Sequence, residues 1–349
     1  MAPKLPPDLV IDPPLLNSAN PWATTQEDLR QLYACPTTGA VTTRTALIDG
    51  FAHDDAVHRF TFFGAGQGSK VEAGEGEEEG EKNASINSLG YSPIALDGYL
   101  GFIKDIDGDD ELAVGKKKTI IVSVTGTPDE VAECYCRVAK LRFGGDGTKM
   151  ALAVEINLSC PNIPGKPPPA YTLEAMWDYV VAVSEIVKVV DGQLRKEKGD
   201  SGDYRIPWGL KTPPYTHDGQ FALFAEMVWN LAREQGGACP LSFVTATNTL
   251  GSSVVFDEEG REDIAGGLAG APLHPLALGN VKKIRGLLDG RKGTEHVAVI
   301  GVGGVSDAEG YKRMRAVGAT AVGVGTALGI RGMSIFQDIW QGVKDSDQP

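Results

Sequence analysis

The feature that most constrains the fold of this chain is a regular alternation of short apolar segments with longer helical segments from residue 119 onward. Each apolar segment has the length and near-continuous apolar character of a strand buried on both faces, which is typical of parallel sheets. The segments between them carry apolar residues at helical spacing. With two earlier segments, the pattern predicts eight strands, at 15–17, 39–45, 119–124, 151–157, 208–211, 243–247, 297–301 and 319–325.

Eight such units in 349 residues favour a closed (β/α)8 barrel, a TIM barrel with insertions at its carboxyl-terminal face, over an open doubly wound sheet. An apolar content of 42% is enough for a full core, so we expect residues 1–349 to form a single domain. The residues Thr24-Thr-Gln-Glu27 predict a capping box at the start of a helix ending near Cys35. Further helices are predicted near 128–141, 172–190, 221–235, 275–288 and 307–316.

The alternation lapses between about residues 46 and 118. Within this region, Glu75-Gly-Glu-Glu-Glu-Gly-Glu81 combines like charges with low hydrophobicity, which predicts a disordered acidic insertion over 64–84. Asp105-Ile-Asp-Gly-Asp-Asp110 resembles the start of a calcium loop, but Asp110 stands where glycine is required and Lys116 where the bidentate glutamate is required. We therefore expect no metal there.

Charge and cysteine content restrict the partners and the compartment. A formal charge of −13 argues against nucleic acid and against anionic membrane surfaces, which attract concentrated Lys and Arg. The five cysteines form no C-x-x-C pair, so neither a disulfide framework nor a zinc ribbon is indicated. No stretch approaches the roughly 18 apolar residues of a membrane span. These features predict a soluble cytoplasmic protein.

In a barrel of this kind the active site lies at the carboxyl ends of the strands. Cys160 in that position is either an ordinary buried thiol or a reactive one, and its place between Ser159 and Pro161 favours the reactive thiol. Lys211 ends a buried strand and needs either a carboxylate partner or a role beside a flavin ring, where a cation stabilises negative charge. The remaining strand-end candidates are Ser18, Ala19, Asn20, Arg44, Thr45, Asn157, Asn162, Thr247, Asn248, Thr249, Gly303, Gly304, Gly325 and Thr326.

Glycine-bearing turns follow the last two predicted strands, at Gly303-Gly304 and Gly325-Thr326. Such turns bring backbone N–H groups to an anion with no Cβ in the way, and barrels hold phosphate groups at this position. Close packing of the turns against helices is the alternative explanation. The turns therefore indicate a phosphate site on one side of the strand ends.

The loop that follows the 151–157 strand reads Asn157-Leu-Ser-Cys-Pro-Asn-Ile-Pro-Gly-Lys-Pro167, and it resembles the catalytic loop of the class 1A dihydroorotate dehydrogenases, the soluble FMN enzymes of pyrimidine synthesis. The resemblance extends from about residue 15 to the end of the chain. It also includes the segments Asn87–Gly90, 211–214, 247–249, 266–270, 301–304 and 325–328. The membrane-bound class 2 enzymes carry serine in place of the cysteine.

The resemblance implies that Cys160 removes a proton from C5 of dihydroorotate while a hydride passes from C6 to FMN, giving orotate, and that fumarate reoxidises the flavin. It implies that Asn87, Asn157, Asn162 and Asn248 bind the pyrimidine ring and that Leu89, Gly90 and Tyr91 meet the carboxylate. Positions around the flavin and its phosphate match Ala19, Asn20, Arg44, Thr45, Asn157, Lys211, Thr247, Gly270, Gly303, Gly304, Gly325 and Thr326. The family's soluble members are homodimers, so the resemblance also implies a homodimer.

Three positions depart from the family pattern: Arg44 replaces lysine, Tyr91 replaces a smaller aliphatic residue, and Thr249 replaces serine. Arginine and lysine are not equivalent at a tight site. The departures leave open a related flavin oxidoreductase acting on another small carboxylate or dihydropyrimidine. A catalytically silent barrel that serves as a scaffold is a further alternative.

Overall fold

The computed structural model describes residues 4–65, 82–109, 112, 117–159, 168–256 and 260–346. Two predicted site residues, Cys160 and Asn162, lie outside this part of the chain, as does most of the predicted acidic insertion over 64–84. The described strands are β1 (Leu15–Asn17), β2 (Ala40–Thr42), β3 (Phe60–Phe63), β4 (Ala84–Asn87), β5 (Thr119–Val124), β6 (Leu152–Asn157), β7 (Trp208–Thr212), β8 (Phe243–Ala246), β9 (Leu250–Phe256), β10 (Glu262–Gly270), β11 (Ala298–Val302) and β12 (Ala321–Val324).

Eight of these described strands close into a parallel barrel, which confirms the predicted fold class. Their order around the barrel is β1-β12-β11-β8-β7-β6-β5-β2. The strand over 39–45 is shorter than predicted, because the ladder of β2 ends at Thr42 and the backbone N–H of Arg44 donates to Ala23 instead. Arg44 and Thr45 therefore lie just beyond the carboxyl end of β2 and outside its ladder.

Helices separate most of the barrel strands. They are α1 (Gln26–Ala34), α2 (Leu96–Asp107), α3 (Pro128–Phe143), α4 (Leu173–Lys198), α5 (Asp218–Glu234), α6 (His274–Asp289), α7 (Ala308–Ala316), α8 (Thr326–Arg331) and α9 (Ser334–Ser346). The predicted helix over 172–190 continues for two further turns, to Lys198. Within the described part of the chain, no helix is long and apolar enough to cross a membrane.

Capping residues set where the helices start. The capping box of α1 uses Thr25 and Asp28, one residue later than predicted. The shift follows from Asp28, whose carboxylate accepts the backbone N–H groups of both Thr24 and Thr25 at 3.1 and 2.9 Å. Helix α3 starts in the same way, with Thr127 as its N-cap and Glu130 closing the box.

The region in which the alternation was expected to lapse contains more regular structure than predicted. Helix α2 lies between β2 and β5, and strands β3 and β4 belong to a second sheet with order β3-β4-β10-β9. All pairs in this sheet are antiparallel, and β4 joins β10 across a long stretch of chain through pairs such as Ser85↔Ala269. Asp105 and Asp107 lie in α2, so the calcium-like segment begins in a helix.

The barrel interior has an apolar layer below a polar one. The apolar layer contains Leu16, Ala40, Ile121, Ala153, Phe243, Ile300 and Ala321, and Val302 of the same apolar cluster lies one step higher, at the cavity. Because side chains alternate along a strand, the next inward positions toward the carboxyl ends are Ser123, Glu155 and Thr245. Asn157 and its cross-strand partner Lys211 follow one step higher. The polar layer therefore lies directly below the strand ends.

Candidate active site

A cavity of about 990 Å³, partly open to solvent, lies at the carboxyl ends of the barrel strands and beneath the second sheet. All of the predicted site residues in the described part of the chain line it. They are Ala19, Asn20, Arg44, Thr45, Asn87, Leu89, Gly90, Tyr91, Asn157, Lys211, Thr247, Asn248, Thr249, Gly270, Gly303, Gly304, Gly325 and Thr326.

Several lining residues were not among the sequence candidates: Pro21, Trp22, Phe60, Ser85, Ala269, Leu273 and Val302. Phe60, Ser85 and Ala269 belong to the second sheet, which the strand pattern did not predict. The rings of Trp22 and Phe60 pack edge to face, with centroids 5.7 Å apart. Trp22, from the turn after β1, and Phe60, from the second sheet, therefore form an aromatic wall of the cavity.

Two cations line this cavity, Arg44 and Lys211, and among the described residues no carboxylate side chain lines it. Lys211 is only 3% exposed, and its Nζ donates to the backbone carbonyl of Ala19 at 3.5 Å. The carboxylate partner considered as an alternative for Lys211 is not found in the described part of the chain. The cavity is therefore electropositive within a chain of net charge −13 and suits an anionic ligand.

Arg44 contacts the segment that carries Leu89, Gly90 and Tyr91. Its Nη2 donates to the Gly90 carbonyl at 3.3 Å. A Cβ on Gly90 would lie 2.2 Å from the ring of Phe51, so this position requires glycine. The same Phe51 ring packs edge to face on Tyr91, with centroids 5.9 Å apart. The ring thus holds this segment against Arg44.

Ser92 anchors that segment to the barrel. Its backbone N–H donates to the Thr45 carbonyl at 2.7 Å, and its hydroxyl lies 2.8 Å from the hydroxyl of Tyr99. Burial raises the pKa of Tyr99 to about 12. Tyr99 therefore stays a neutral hydrogen-bonding group near neutral pH, and the anchor does not change its charge.

Asn157 and Asn248 form a hydrogen-bonded pair on the cavity floor. Asn248 Nδ2 donates to Asn157 Oδ1 at 3.2 Å and to Ser159 Oγ at 3.0 Å. Asn157 Nδ2 donates to Thr45 Oγ1 at 3.0 Å. Asn87 lies apart from this pair, on β4, where its Nδ2 donates to the Gly267 carbonyl at 3.3 Å. Cys160 follows Ser159 in the sequence, outside the described residues.

Close-packed glycines form the far end of the cavity. Gly304 has φ +68°, and a Cβ there would lie 2.6 Å from the carbonyl oxygen of Gly270. Gly303 has φ +142°, and a Cβ there would lie 2.4 Å from Cβ of Ala277. Ser85 Oγ and Thr326 Oγ1 lie 2.8 Å apart and tie the second sheet to the turn after β12. The two glycines therefore let the turn pack closely against α6 and Gly270, which is the alternative explanation for this turn, and they also line the cavity.

His274 supports the glycine turn from behind. Its Nδ1 lies 2.8 Å from the Gly303 carbonyl, and Arg313 Nε donates to its Nε2 at 3.2 Å. Since Nε2 accepts, the proton of the ring is on Nδ1, which donates to Gly303. His274 is thus a fixed neutral bridge between α7 and the turn, which the sequence patterns gave no reason to single out.

Comparison with known proteins identifies the family of this chain. Residues 77–346 match the family model described as dihydroorotate dehydrogenase. The chain is 30% identical to dihydroorotate dehydrogenase (fumarate) of Trypanosoma cruzi, over 94% of this chain and 88% of that protein. It is 30% identical to dihydroorotate dehydrogenase A (fumarate) of Lactococcus lactis subsp. lactis, over 73% of this chain and 71% of that protein.

A solved structure has the same fold. The ligand-free type dihydroorotate dehydrogenase from Eimeria tenella superposes with a TM-score of 0.66, covering 95% of this chain and 83% of that one, at 19% identity. At this identity the solved structure shows the fold alone, and the sequence matches show the family. The match over 77–346 takes in β4 to β12 and therefore most of the residues that line the cavity. The chain is a member of the dihydroorotate dehydrogenase family.

Proposed function

We propose that this protein is an FMN-dependent dihydroorotate dehydrogenase that oxidises dihydroorotate to orotate and uses fumarate as its electron acceptor. The observation that carries the proposal is the joining, in one cavity, of a cationic wall, an asparagine pair and a glycine-lined end. The named relatives from Trypanosoma cruzi and Lactococcus lactis support the same reaction.

The charge of the cavity fits the substrates. Dihydroorotate, orotate and fumarate are all carboxylates, and the lining supplies two cations, Arg44 and Lys211. Arg44 can meet a carboxylate with two parallel N–H donors. The backbone of Leu89 to Tyr91, which Arg44 contacts, would supply further donors to the same group.

The residues present also fit FMN. Gly270, Gly303 and Gly304 line the cavity without side chains, so their backbone can meet a phosphate with no Cβ in the way. Lys211 lies at the carboxyl end of β7, where a cation can stabilise a reduced flavin ring. Gly325 and Thr326 would complete the phosphate end, and Ala19, Asn20, Thr45 and Thr247 would line the ring. Bound FMN supplies a two-electron acceptor for the hydride of dihydroorotate and a donor of the same electrons to fumarate.

The chain's own residues bind the substrate and move its proton. Asn87, Asn157, Asn162 and Asn248 pair with the ring amides, since each asparagine offers both donors and an acceptor. Cys160 as thiolate takes the C5 proton as the C6 hydride leaves, so the product gains a C5–C6 double bond and both electrons leave with the hydride. A thiol has an unperturbed pKa of about 8.5, which a modest shift brings near neutrality.

A single-turnover experiment tests the proposal. The purified protein should carry yellow FMN, and anaerobic mixing with dihydroorotate should bleach the flavin band. Flavin that binds but stays oxidised would contradict the proposal, and a protein that neither retains nor takes up FMN would favour the silent scaffold.

A related substrate is the second candidate, and the cavity residues favour it specifically. Arg44, Tyr91 and Thr249, the three departures from the family pattern, all line the cavity. Tyr91 is held by the Phe51 ring and takes space that a smaller residue would leave. A stopped-flow survey of small dihydropyrimidines and unsaturated carboxylates distinguishes the two, because the better substrate reduces the flavin faster.

We also propose that the enzyme is a homodimer in the cytoplasm, with residues 1–349 forming one FMN-binding barrel and 64–84 an acidic insertion. Light scattering on the eluting protein measures the dimer mass directly. A monomer at micromolar concentration would contradict that part of the proposal.

A further inference from the structure

Glu155 is a carboxylate inside the barrel, below the cavity and outside its lining. It is 2% exposed and lies on β6 two residues before Asn157. Each of its oxygens accepts one hydroxyl: Ser123 Oγ donates to Oε1 at 2.9 Å and Thr245 Oγ1 donates to Oε2 at 2.7 Å. A buried carboxylate is costly and needs a reason to be kept.

The bond from Ser123 determines the direction of the next one. A serine hydroxyl has a single proton, and Ser123 gives that proton to Glu155. The oxygens of Thr45 and Ser123 lie 2.9 Å apart, so Thr45 must be the donor of the pair. With its own proton used, Thr45 can only accept from Asn157, and Asn157 Nδ2 lies 3.0 Å away in that role.

The direction of this chain fixes the amide of Asn157. Its Nδ2 faces Thr45, so its Oδ1 must face Asn248 Nδ2, at 3.2 Å, and Ser159, whose N–H and hydroxyl also donate to it. Asn248 Oδ1 is left to accept from the Thr249 N–H at 2.8 Å. Among the described residues, one Nδ2 hydrogen of Asn157 and one lone pair of Asn248 Oδ1 remain for a ligand.

We propose that Glu155 is a positioning residue that acts through Ser123 and Thr45 to hold the Asn157–Asn248 pair in one amide orientation. The pair then presents a donor and an acceptor to the cyclic amide of the substrate. The role in substrate binding rests on the proposed function, whereas the fixed amide orientation does not.

Glu155→Gln is the direct test, because it keeps the shape of the side chain and removes its acceptor-only character. A glutamine can donate to Ser123, which reverses the chain as far as Asn157. In holoenzyme labelled with ¹⁵N-asparagine, the Asn157 side-chain amide, assigned by its loss in Asn157→Ala, should shift or split into two sets of signals. Orotate affinity should fall about tenfold.

Thr245→Val is the matched control. It removes the other donor to Glu155 and leaves the chain through Ser123 intact, so the Asn157 amide should keep one set of signals and orotate should bind within about twofold of the native affinity. In the double variant Ser123→Ala/Glu155→Gln, the loss of affinity should equal that of Ser123→Ala alone, since the link is already broken.

Additive losses in the double variant would overturn the proposal, as would an unchanged Asn157 amide in Ser123→Ala, which breaks the link whichever way the glutamine of Glu155→Gln is oriented. A native holoenzyme that does not bind orotate would contradict the proposed function instead. In that case the amide signals still test whether Glu155 fixes the orientation of Asn157, because they are recorded without substrate.

Discussion

Lys118 is a buried cation at the start of β5, at the opposite end of the strand from the cavity. It is 6% exposed, its Nζ donates to the Cys35 carbonyl and to Thr38 Oγ1, and it lies 5.8 Å from the centroid of the Tyr33 ring. Burial lowers the pKa of Lys118 to about 8, from an ordinary value of 10.5. The ammonium joins the end of α1 to the barrel at a cost in desolvation.

This pKa predicts a pH dependence of stability. Between pH 8 and 10.5 the unfolded chain holds a proton that the folded chain has released, so the free energy of unfolding rises with pH in this window. The free energy of unfolding of the native protein should rise by about 1–3 kcal/mol across this window, and that of Lys118→Met should lack this rise. Urea unfolding of both proteins at several pH values measures it.

The neighbouring substitution Lys117→Met is the control, since Lys117 is exposed and the variant retains Lys118. It should keep the full rise. A Lys118→Met protein whose stability follows that of the native protein across the window would contradict the assignment.

Cys160 is the residue on which the proposed proton transfer depends. Cys160→Ala should retain FMN but slow its reduction by dihydroorotate roughly 10²- to 10⁴-fold, the usual cost of losing a general base. Cys136→Ala is the control, because Cys136 is a buried thiol on α3 and does not line the cavity. Stopped-flow absorbance measures both, and near-native reduction in Cys160→Ala would mean that another group takes the proton.

Among the elements, the glycine turn after β11 makes the sharpest prediction. Gly304→Ala should lose most of its bound FMN, because the new methyl would meet the Gly270 carbonyl and the backbone has φ +68°. Gly236→Ala is a matched control, since Gly236 has φ +80° with nothing within 4 Å of the added methyl. Alanine at either position costs about 1 kcal/mol of backbone strain. The two variants therefore differ in the collision of the new methyl group with its neighbours.

The ratio of FMN to protein after gel filtration is the measurement. We expect a low ratio for Gly304→Ala and a native ratio for Gly236→Ala. Equal retention in the two variants would contradict a phosphate site at this turn.

The hairpin of β3 and β4 predicts tolerance to deletion. The N–H of Ala65 donates to Asn83 Oδ1 at 2.9 Å, and the N–H of Asn83 donates to the Phe63 carbonyl at 3.2 Å, so the chain ends on either side of 66–81 are already adjacent. Replacing 66–81 with a short Asn-Gly turn should leave flavin content and turnover within about twofold, since a shorter loop lowers the closure cost by only about 1 kcal/mol. A loss of activity would give the acidic segment a catalytic role.

Elements differ in how well the sequence predicts them. The barrel strands were predictable because they are buried on both faces and predominantly apolar, as in β5. The second sheet was not, because β9 has one buried residue among its seven and β4 pairs with the distant β10. The strand ends predicted the barrel part of the candidate site, and the family resemblance added Asn87, Leu89, Gly90, Tyr91 and Gly270. Neither predicted Trp22, Phe60 and Ser85, which reach the cavity from a loop and from the second sheet.

On the scale of the whole molecule, one part of the barrel provides the apolar core and another part provides the polar groups of the site. Its lower interior is apolar, its upper interior carries Glu155 and Lys211, and the second sheet covers the strand ends with an aromatic wall. The excess of acidic residues therefore lies elsewhere, and the cavity keeps its positive charge. This arrangement is what an enzyme of small carboxylates requires.

The most direct test of the central claim is anaerobic turnover with both substrates. The account predicts that the holoenzyme forms one orotate for each fumarate reduced to succinate, and that no product forms beyond a single turnover of the bound flavin when either substrate is left out. Fumarate reduction without orotate formation, or flavin that dihydroorotate never reduces, would contradict it.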